Sequence, residues 1–409
     1  VIARLFQGLG DSLAEKRWRP GGVPAIYKLL EALAADPSIR LVTVFGAKDP
    51  HDPRFSRTEA FDLAPLGRVH ILPQKRWPLL RRLRLSNKWR EIRHLVQCLW
   101  LYRRHRPAVA YFTNAHFVPA GIIARFGRCR SVFRFLGVTP AQHRIARGDQ
   151  PVARWFYRAP FDQVICTLDG SGGTHYLPKL LRAGVPYRVL INGADRPQAD
   201  GAAHDRVASR LPADGIPLVL FVGKLEAQKG CHEFVEAAID LASRRPGGFR
   251  ALLLGDGVER GALERRVATA GLEDVVLLPG GVPHGEVAAW LARADIYASI
   301  NKLGNVSNAN LEAAIAGKCM IVLDKDPVSH IDEETEDIWP TDAVLRIPRI
   351  DIPRNLATTL EGLLDRPQEI ERRGALTRRL TEDLVQDWPM RTATEVSLLL
   401  GKEGSTPDG

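Results

Sequence analysis

The 409-residue sequence lacks the features that mark several common classes of protein. Its five cysteines are odd in number and widely spaced, with neither a CxxC pair nor a zinc-binding pattern: Cys98, Cys129, Cys166, Cys231 and Cys319. A disulfide framework or a structural zinc site needs regularly spaced cysteines. We therefore expect a protein that works in a reducing cytoplasm.

Long hydrophobic runs are also missing. No apolar segment approaches the roughly 18–20 residues that a membrane-spanning helix needs. The first residues, VIARLFQGLGDSL, lack the basic lead and the long apolar core of a secretory signal peptide. The sequence starts inside a strand-like segment, which leaves open whether further residues precede it.

Recognisable sets of catalytic and metal-binding residues are scarce. No Ser-His-Asp or Cys-His arrangement can be assigned, and no set of His, Cys and carboxylates has metal-ligand spacing. Asp324 and Asp326 form a DxD-like pair, but they directly follow a strand, so a loop role is favoured over a metal site. We predict no metal and no cofactor.

Positive charge, by contrast, is in excess. Lys and Arg number 57 against 47 acidic residues, and the net charge of +10 favours an anionic partner. Between residues 75 and 106 the only acidic residue is Glu91, and Trp and Leu residues are interleaved with basic ones. This composition is typical of a helix lying in an anionic membrane interface. A solvated basic helix face is the alternative, and nucleic acid is disfavoured because no recognised nucleic-acid module accompanies the charge.

Strand-like and helix-like segments alternate in two series. The first occupies residues 1–195, and the second occupies residues 216–370. Polar and small residues between them, 196–215, are typical of a linker. The alternation predicts an α/β protein with two Rossmann-like, doubly wound domains. We expect the C-terminal helices, about 375–400, to pack back on the first domain.

The strands of the second series end in glycine-rich loops. FVGKLEAQKG (221–230) places Lys224 and Lys229 around the turn after Gly223. The next two strands end at LLLGDG (252–257) and LLPGG (277–281). A strand, DIYASI, then leads through a small-residue loop into a helix predicted at 310–317. A helix N-terminus has unpaired backbone N–H groups and is a natural phosphate site.

With INGAD (191–195) before the linker, this ordered set of motifs resembles the GT-B glycosyltransferases of the large retaining family 4, the glycosyl transferases group 1. The resemblance covers most of the chain and is specific from about residue 191 to residue 323. It implies two domains that face each other across a cleft. The second domain would bind a nucleotide-sugar donor, and the first would bind the acceptor.

The resemblance also implies roles for individual residues. Lys224 and Lys229 would contact the donor diphosphate and stabilise the leaving group. Lys224 stands where the family usually has Arg, which keeps the charge but loses bidentate geometry. Glu312, predicted in the first helical turn, matches the second glutamate of the E-x7-E motif and would bind the ribose diol. The remaining donor-site residues are Gly22, Gly223, Gly255, Gly280, Gly304, Asn305, Val306, Ser307 and Asn308.

The first glutamate of that motif is replaced by Gly304. In relatives this carboxylate touches hydroxyls of the transferred sugar. Asn305, Asn308 or backbone N–H groups of residues 305–307 are the substitutes that the sequence offers. A non-catalytic sugar- or membrane-binding relative of the same fold is therefore an alternative.

The first domain offers fewer diagnostic residues. Gly21 and Gly22 precede a helix predicted at 23–35 and let backbone come close to a ligand or to another loop. His116 resembles the loop histidine that many relatives place near the transferred sugar. Arg134, in SVFRFLG, is predicted either to meet an anionic acceptor or to stabilise its loop.

The expected function is transfer of a sugar, with retention of anomeric configuration, from a UDP-sugar to a glycan or lipid-linked acceptor. The family's same-face substitution needs positioning and charge stabilisation, and no protein nucleophile. We expect a role in cell-surface glycan biosynthesis, in the cytoplasm or on the cytoplasmic face of the membrane. An NAD(P)-dependent oxidoreductase would need a GxGxxG turn after the first strand, and QGLGDS (7–12) breaks that pattern.

Overall fold

The computed structural model describes residues 1–48, 53–73, 86–196, 201–211 and 215–402. These residues form two compact units, each with its own sheet. The N-terminal unit comprises Val1–Thr167, Gly173–Leu190 and the described residues from Trp388 onward. The C-terminal unit comprises Leu168–Gly172 and Ile191–Asp387.

The N-terminal unit contains an eight-stranded sheet in the order β3-β4-β2-β1-β5-β6-β7-β8. Strand β3 is antiparallel to β4, and the pairs from β4 through β7 are parallel. The chain starts in the interior of the sheet and adds strands on both sides, as doubly wound folds do. In chain order the strands are Ile2–Arg4, Val42–Gly46, Glu59–Leu63, Gly67–Leu72, Val109–Thr113, Arg130–Phe135, Gln163–Leu168 and Tyr187–Ile191.

The central strands of this sheet are nearly continuous apolar runs because helices cover parallel sheets on both faces. Phe112, Phe133 and Val164, on neighbouring strands, are completely buried in one core cluster. The helices α1 to α7 are Gln7–Ala14, Pro24–Ala35, Ser86–His105, Phe117–Phe126, Pro140–Ala146, Pro151–Tyr157 and Gly173–Leu180.

The C-terminal unit contains a six-stranded, parallel sheet in the order β11-β10-β9-β12-β13-β14. In chain order, β9 to β14 are Leu218–Val222, Arg250–Leu254, Val276–Gly280, Ile296–Ser299, Cys319–Leu323 and Leu345–Ile347. Helices α8 to α15 are Gly201–Ala208, Cys231–Arg244, Arg260–Ala270, His284–Arg293, Asn308–Ile315, Thr335–Ile338, Ile352–Leu364 and Pro367–Leu384. Core clusters on the two faces of the sheet enclose its strands.

The last helix, α16 (Trp388–Leu400), belongs to the N-terminal unit. Its Leu398 and Leu399 pack in one cluster with Leu29 and Leu33 of α2. Helix α15, which precedes it, remains in the C-terminal unit. None of the described helices is long and apolar enough to cross a membrane.

Two helices lie where the sequence predicted loop or linker. Helix α1 includes part of the predicted loop after the first strand, and its Leu9 and Leu13, spaced by one helical turn, are buried. Helix α8 lies in the predicted linker, and its Ala203 and Val207 are buried in the core of the C-terminal unit. Both segments carry only two buried apolar residues among small and polar ones. Tertiary packing of one face therefore stabilises helices that local propensity leaves marginal.

Candidate functional site

The three glycines predicted to end donor-side strands lie at one edge of the C-terminal sheet. Gly223 follows β9, Gly255 follows β10 and Gly280 ends β11. The Gly223 N–H donates to Leu254 O and the Gly255 N–H donates to Gly280 O, each at 3.0 Å. The carboxyl ends of parallel strands are where open α/β sheets bind ligands, so these residues form the floor of the candidate site.

Two lysines stand at this edge, on the turn between β9 and α9. Lys224 is exposed, and Lys229 is partly buried at the end of a 3₁₀ turn, Ala227–Lys229. Burial lowers the pKa of Lys229, whereas the nearby carboxylates of Asp169 and Glu226 raise it and Lys224 lowers it further. Gly230, at φ 79°, closes the turn against Ile300, whose carbonyl oxygen would lie 2.2 Å from a Cβ at residue 230. The two ammonium groups therefore give this edge a cationic centre suited to a polyphosphate.

Gly304 lies in the loop between β12 and α12, against a short turn formed by Asp169, Gly170 and Ser171. Its φ is +135°, and a Cβ there would lie 2.4 Å from Asp169 O and 2.8 Å from Gly170 C. Two backbone hydrogen bonds hold the turn in place: Val306 N–H to Asp169 O at 3.2 Å, and Asp332 N–H to Gly170 O at 2.7 Å. No side chain fits at residue 304 in this arrangement, which explains the absence of a glutamate there.

Asn305 is fully buried, and its polar groups are used within the protein. The Asp332 carboxylate accepts hydrogen bonds from the Asn305 backbone N–H at 2.6 Å and from its Nδ2 at 2.7 Å. Asn305 Oδ1 accepts from Ser299 Oγ at 3.0 Å. The Asn305 and Val306 N–H groups are thus engaged inside the loop. This corrects the expectation that the Asn305 side chain, or these two N–H groups, contact the donor.

Asp332 anchors this loop, and its side chain is buried, with 2% of its surface exposed. It also accepts from Thr335 Oγ1 at 3.0 Å and pairs with Arg349 at 2.9 Å. Burial raises the pKa of Asp332 to about 6, although hydrogen bonds from Asn305 and the charge of Arg349 lower it. The loop is therefore a preformed, rigid element.

Helix α12 begins earlier than the sequence predicted. Ser307 is its N-cap, and the Ser307 Oγ accepts from Asn310 N–H at 3.3 Å. Because the helix starts at Asn308, Glu312 lies in the second turn, which corrects the first-turn placement. Glu312 is partly exposed, and the pKa of Tyr297 is raised by burial and by the Glu312 charge. Asn308 accepts from Asn192 Nδ2 at 2.8 Å.

In the N-terminal unit, the Gly21–Gly22 pair lies against helix α1. The Gly21 N–H donates to Gly8 O at 2.9 Å. The GLG of the sequence is therefore helical and packs against the glycine pair, and it does not form a dinucleotide-binding turn.

His116 ends a 3₁₀ turn, Asn114–His116, and is 1% exposed. Its ring stacks on His94 with centroids 6.0 Å apart, and neither of its ring nitrogens has a hydrogen-bond partner among the described residues. Burial lowers the pKa of His116 well below its usual value, and Lys48 and His94 lower it further. Lys48 itself pairs with Glu91 at 2.9 Å. His116 is thus a neutral imidazole, and its predicted contact with the transferred sugar stays a prediction.

Arg134 is completely buried and pairs with Glu395 of α16 at 2.9 Å. The same carboxylate pairs with Arg391 at 3.0 Å and accepts from the Tyr111 hydroxyl at 2.6 Å. Burial opposes ionisation of Glu395, but Arg134 and Arg391 lower its pKa overall. Of the two roles predicted for Arg134, these contacts favour the stabilising one.

The DxD-like pair adopts a turn. Asp326 accepts from Ser329 Oγ at 2.5 Å and from Val328 N–H at 3.0 Å, and Asp324 accepts from Lys325 N–H at 2.8 Å. Of the basic stretch, residues 75–85 lie outside the described residues. The remainder is helix α3 and Arg106, which directly follows it.

Sequence reasoning missed three residues of this site: Asp169, Asn310 and Asp332. Asp169 stands directly after β7, and the rule that strand ends carry functional residues would have found it. Asn310 and Asp332 carry no such signal, because their role depends on partners in a folded loop.

Part of the chain that contains this site is similar to known proteins. Residues 216–366 match the family model described as Glycosyl transferases group 1. The chain is similar to 2-deoxystreptamine glucosyltransferase of Streptomyces kanamyceticus, with 33% identity over 30% of this chain and 32% of that protein. It is also similar to alpha-D-kanosaminyltransferase of the same organism, with 26% identity over 55% of this chain and 58% of that protein. The matches thus span from about a third to just over half of the length of these two relatives.

The fold is shared over a longer stretch. The structure of Anabaena Alr3699/HepE in complex with UDP-glucose has a TM-score of 0.68 to this chain at 15% identity, covering 98% of this chain and 99% of that one. The sequence-based expectations of an α/β protein with two Rossmann-like units and of a GT-B fold are confirmed. The family model covers the donor-side strands and the Gly304 loop. Within the C-terminal unit, the chain thus matches the group 1 glycosyltransferases over residues 216–366.

Proposed function

We propose that this protein transfers a sugar from a nucleoside-diphosphate sugar to a glycan or lipid-linked acceptor. The observation that carries the proposal is the pair Lys224 and Lys229 at the carboxyl edge of the C-terminal sheet, within the segment that matches the family. In the reaction the bond between the sugar C1 and the diphosphate oxygen breaks, and a bond from C1 to an acceptor oxygen forms. The leaving diphosphate gains negative charge, which two ammonium groups stabilise.

The C-terminal unit supplies the donor site in this proposal. Lys224 and Lys229 hold the diphosphate, Glu312 accepts hydrogen bonds from the ribose diol, and the rigid Gly304 loop places helix α12 beside them. UDP is the first choice of nucleotide, supported by the UDP-glucose complex of the similarly folded Anabaena protein. The family resemblance supports retention of anomeric configuration by same-face substitution, with the diphosphate accepting the acceptor proton.

The acceptor belongs to the N-terminal unit in this proposal. His116 is neutral and buried, and its ring nitrogens have no partners among the described residues, so a sugar hydroxyl that reaches the ring can exchange hydrogen bonds with it without adding charge. A role in cell-surface glycan biosynthesis follows if the acceptor is carried on a lipid.

A donor panel tests the proposal. Purified protein is incubated with UDP-glucose, UDP-galactose, UDP-N-acetylglucosamine and GDP-mannose, and release of nucleoside diphosphate is measured with and without lipid-linked and soluble glycans. We expect Lys229→Ala to lower kcat/KM by about a hundredfold to a thousandfold, as loss of a preorganised charge contact does. Glu312→Ala should raise the donor KM.

Lys318→Ala is the matched control. Lys318 is also partly buried in the C-terminal unit, but it lies before β13, at the opposite end of the strands, where its Nζ donates to Ala294 O at 2.8 Å. The Lys318→Ala variant should keep an activity near that of the wild type. Full activity of both Lys229→Ala and Glu312→Ala would contradict the site assignment. Nucleotide binding without turnover of any donor would favour a non-catalytic relative.

We also propose that helix α3 contacts an anionic membrane surface. Trp89, Ile92, Val96 and Trp100 follow one another at helical spacing, and each is 42–60% exposed. The opposite face, with His94 and Cys98, is buried. Exposed Arg103 and Arg104 adjoin the apolar face, and Arg104 lies over the Trp100 ring at 5.4 Å. An exposed apolar face flanked by Arg matches a bilayer interface in both hydrophobicity and charge.

Vesicle co-sedimentation tests the membrane contact. Binding should require anionic lipid, and it should fall when Trp89 and Trp100 are both replaced by Ala or when Arg81, Arg82 and Arg84 are neutralised. Trp155→Ala is the control, because Trp155 is 47% exposed on another helix of the same unit. Equal binding by all variants would exclude this face as the membrane contact.

A further inference from the structure

Asp169, like Asp332, is a residue beside the Gly304 loop for which the sequence predicted no role. It belongs to the segment Leu168–Gly172, which is part of the C-terminal unit although the neighbouring residues on both sides belong to the other unit. The turn that contains Asp169 occupies the space that a side chain at residue 304 would need. The backbone of Asp169 thus lies against the position where the family motif has a glutamate and this chain has a glycine.

The surroundings of Asp169 are those of a binding group. The carboxylate raises the pKa of Lys229, so the two charges lie near each other. Asp169 is partly buried, and both hydrogen bonds that Ser171 donates, from its N–H at 3.1 Å and from its Oγ, go to Oδ1. Asp332 is different: it is sealed, and both of its oxygens bond the loop.

The chemistry of a nucleotide sugar decides what such a carboxylate can bind. A carboxylate repels phosphate, so it does not share the diphosphate with Lys229. Next to the distal phosphate the donor carries only the sugar, whose hydroxyls are donors that an ionised carboxylate accepts strongly. A carboxylate near the diphosphate lysine is therefore placed for a sugar hydroxyl.

We propose that Asp169 binds a hydroxyl of the transferred sugar and so helps to determine which donor this protein uses. The inference rests on the proposed function, because it requires a nucleotide sugar at Lys229. It adds a specificity residue that comes from a different part of the chain than the 304–312 motif.

The test compares two ligands on one variant. For Asp169→Asn, affinity is measured by calorimetry for the preferred nucleotide sugar of the donor panel and for its nucleoside diphosphate alone. We expect the nucleotide sugar to bind about tenfold to a hundredfold more weakly, the range for losing a hydrogen bond to a charged group. Affinity for the nucleoside diphosphate should change by less than about twofold, since it lacks the transferred sugar whose hydroxyl Asp169 would bind.

Asp332→Asn is the structural comparison, because Asp332 holds the same loop without facing the donor in this proposal. It should weaken both ligands together and lower the melting temperature. If Asp169→Asn behaves in the same way, Asp169 only shapes the loop and the inference is wrong. The inference is also wrong if Asp169→Asn binds both ligands as the wild type does.

A second measurement begins with the wild-type protein, whose fold is not in question. Wild-type protein is tested with analogues of the preferred donor, each lacking one sugar hydroxyl. The wild type should bind one of these analogues more weakly than the full donor, by about the factor that Asp169→Asn loses with the full donor. Asp169→Asn should bind that analogue no more weakly than the wild type does. Equal affinity of the wild type for all analogues would overturn the inference. Failure of the proposed function is distinguishable, because the wild type would then bind neither a nucleotide sugar nor a nucleoside diphosphate.

Discussion

Two buried polar clusters of this protein differ in what surrounds them. In the N-terminal unit, Glu395 is shared by Arg134 and Arg391, and all three are at most 3% exposed. In the C-terminal unit, Asp332 holds Asn305, and the cluster continues through Asp169 to the partly exposed Lys229. The first cluster is closed, and the second opens at the carboxyl edge of a sheet. Burial of charge is therefore common to both clusters, and what distinguishes the proposed donor site is that its cluster ends in accessible charged groups.

Breaking the closed cluster should have the largest effect. Glu395→Gln leaves Arg134 and Arg391 buried without their countercharge and should lower the free energy of unfolding by about 3–5 kcal/mol. Urea denaturation followed by circular dichroism measures the change. Glu264→Gln removes an exposed pair with Arg260 on α10 and should cost less than about 1 kcal/mol. A similarly small effect at Glu395 would show that the closed cluster is not a main source of stability.

Disturbing the open cluster at Gly304 comes next. Gly304→Ala places a Cβ 2.4 Å from Asp169 O at a φ that L residues rarely adopt, and should destabilise the protein by about 2–4 kcal/mol. Nucleotide-sugar affinity should fall with it. Gly271→Ala is the control, because Gly271 also has positive φ but no atom within 4 Å of its Cβ position. If both variants lose equal stability, the contact with residues 169–171 contributes nothing.

The pH dependence of stability sharpens the comparison further. Burial raises the pKa of Asp169 to about 6, so between about pH 4 and pH 6 the folded protein binds more protons than the unfolded chain. The stability that the raised pKa of Asp169 contributes is therefore present at low pH and is lost as the pH rises through about 6. Relative to Asp169→Asn, the wild type should lose up to about 3 kcal/mol between pH 4 and pH 7.

The same measurement on both proteins isolates this group. Lys229 and Asp332, the charged groups that face Asp169, are present in both, so their own titration largely cancels. Thermal unfolding at several pH values gives the difference. A stability difference independent of pH would show that Asp169 ionises normally and is not held in a buried site.

The smallest expected effect is at the helix cap beside the open cluster. Ser307→Ala removes the oxygen that caps α12 and should cost about 1 kcal/mol. Ser307→Asn, which keeps a capping oxygen, should recover most of it. Denaturant midpoints of the two variants measure the effect, and equal loss in both would mean that Ser307 stabilises the loop in another way.

Much of the fold followed from local patterns. The strands that end near Gly223, Gly255 and Gly280 were expected from the sequence and are observed as β9, β10 and β11, because parallel strands are short apolar runs bounded by Gly and polar residues. No sequence pattern pointed to β3 or β14. Lys224, Lys229 and the strand-end glycines were found because their positions follow from strand ends. Helices α1 and α8 were missed because each has only two buried apolar residues.

What the sequence by itself determined is therefore the alternation of strands and helices, the family resemblance and the cationic edge, since each rests on residues close together in the chain. The tertiary structure alone decided the pairing of Arg134 with Glu395, the sealing of Asn305 by Asp332 and the placing of Asp169 against Gly304. These contacts join residues 27 to 261 positions apart. No local pattern specifies them, because they form only when separate strands and helices bring their ends together.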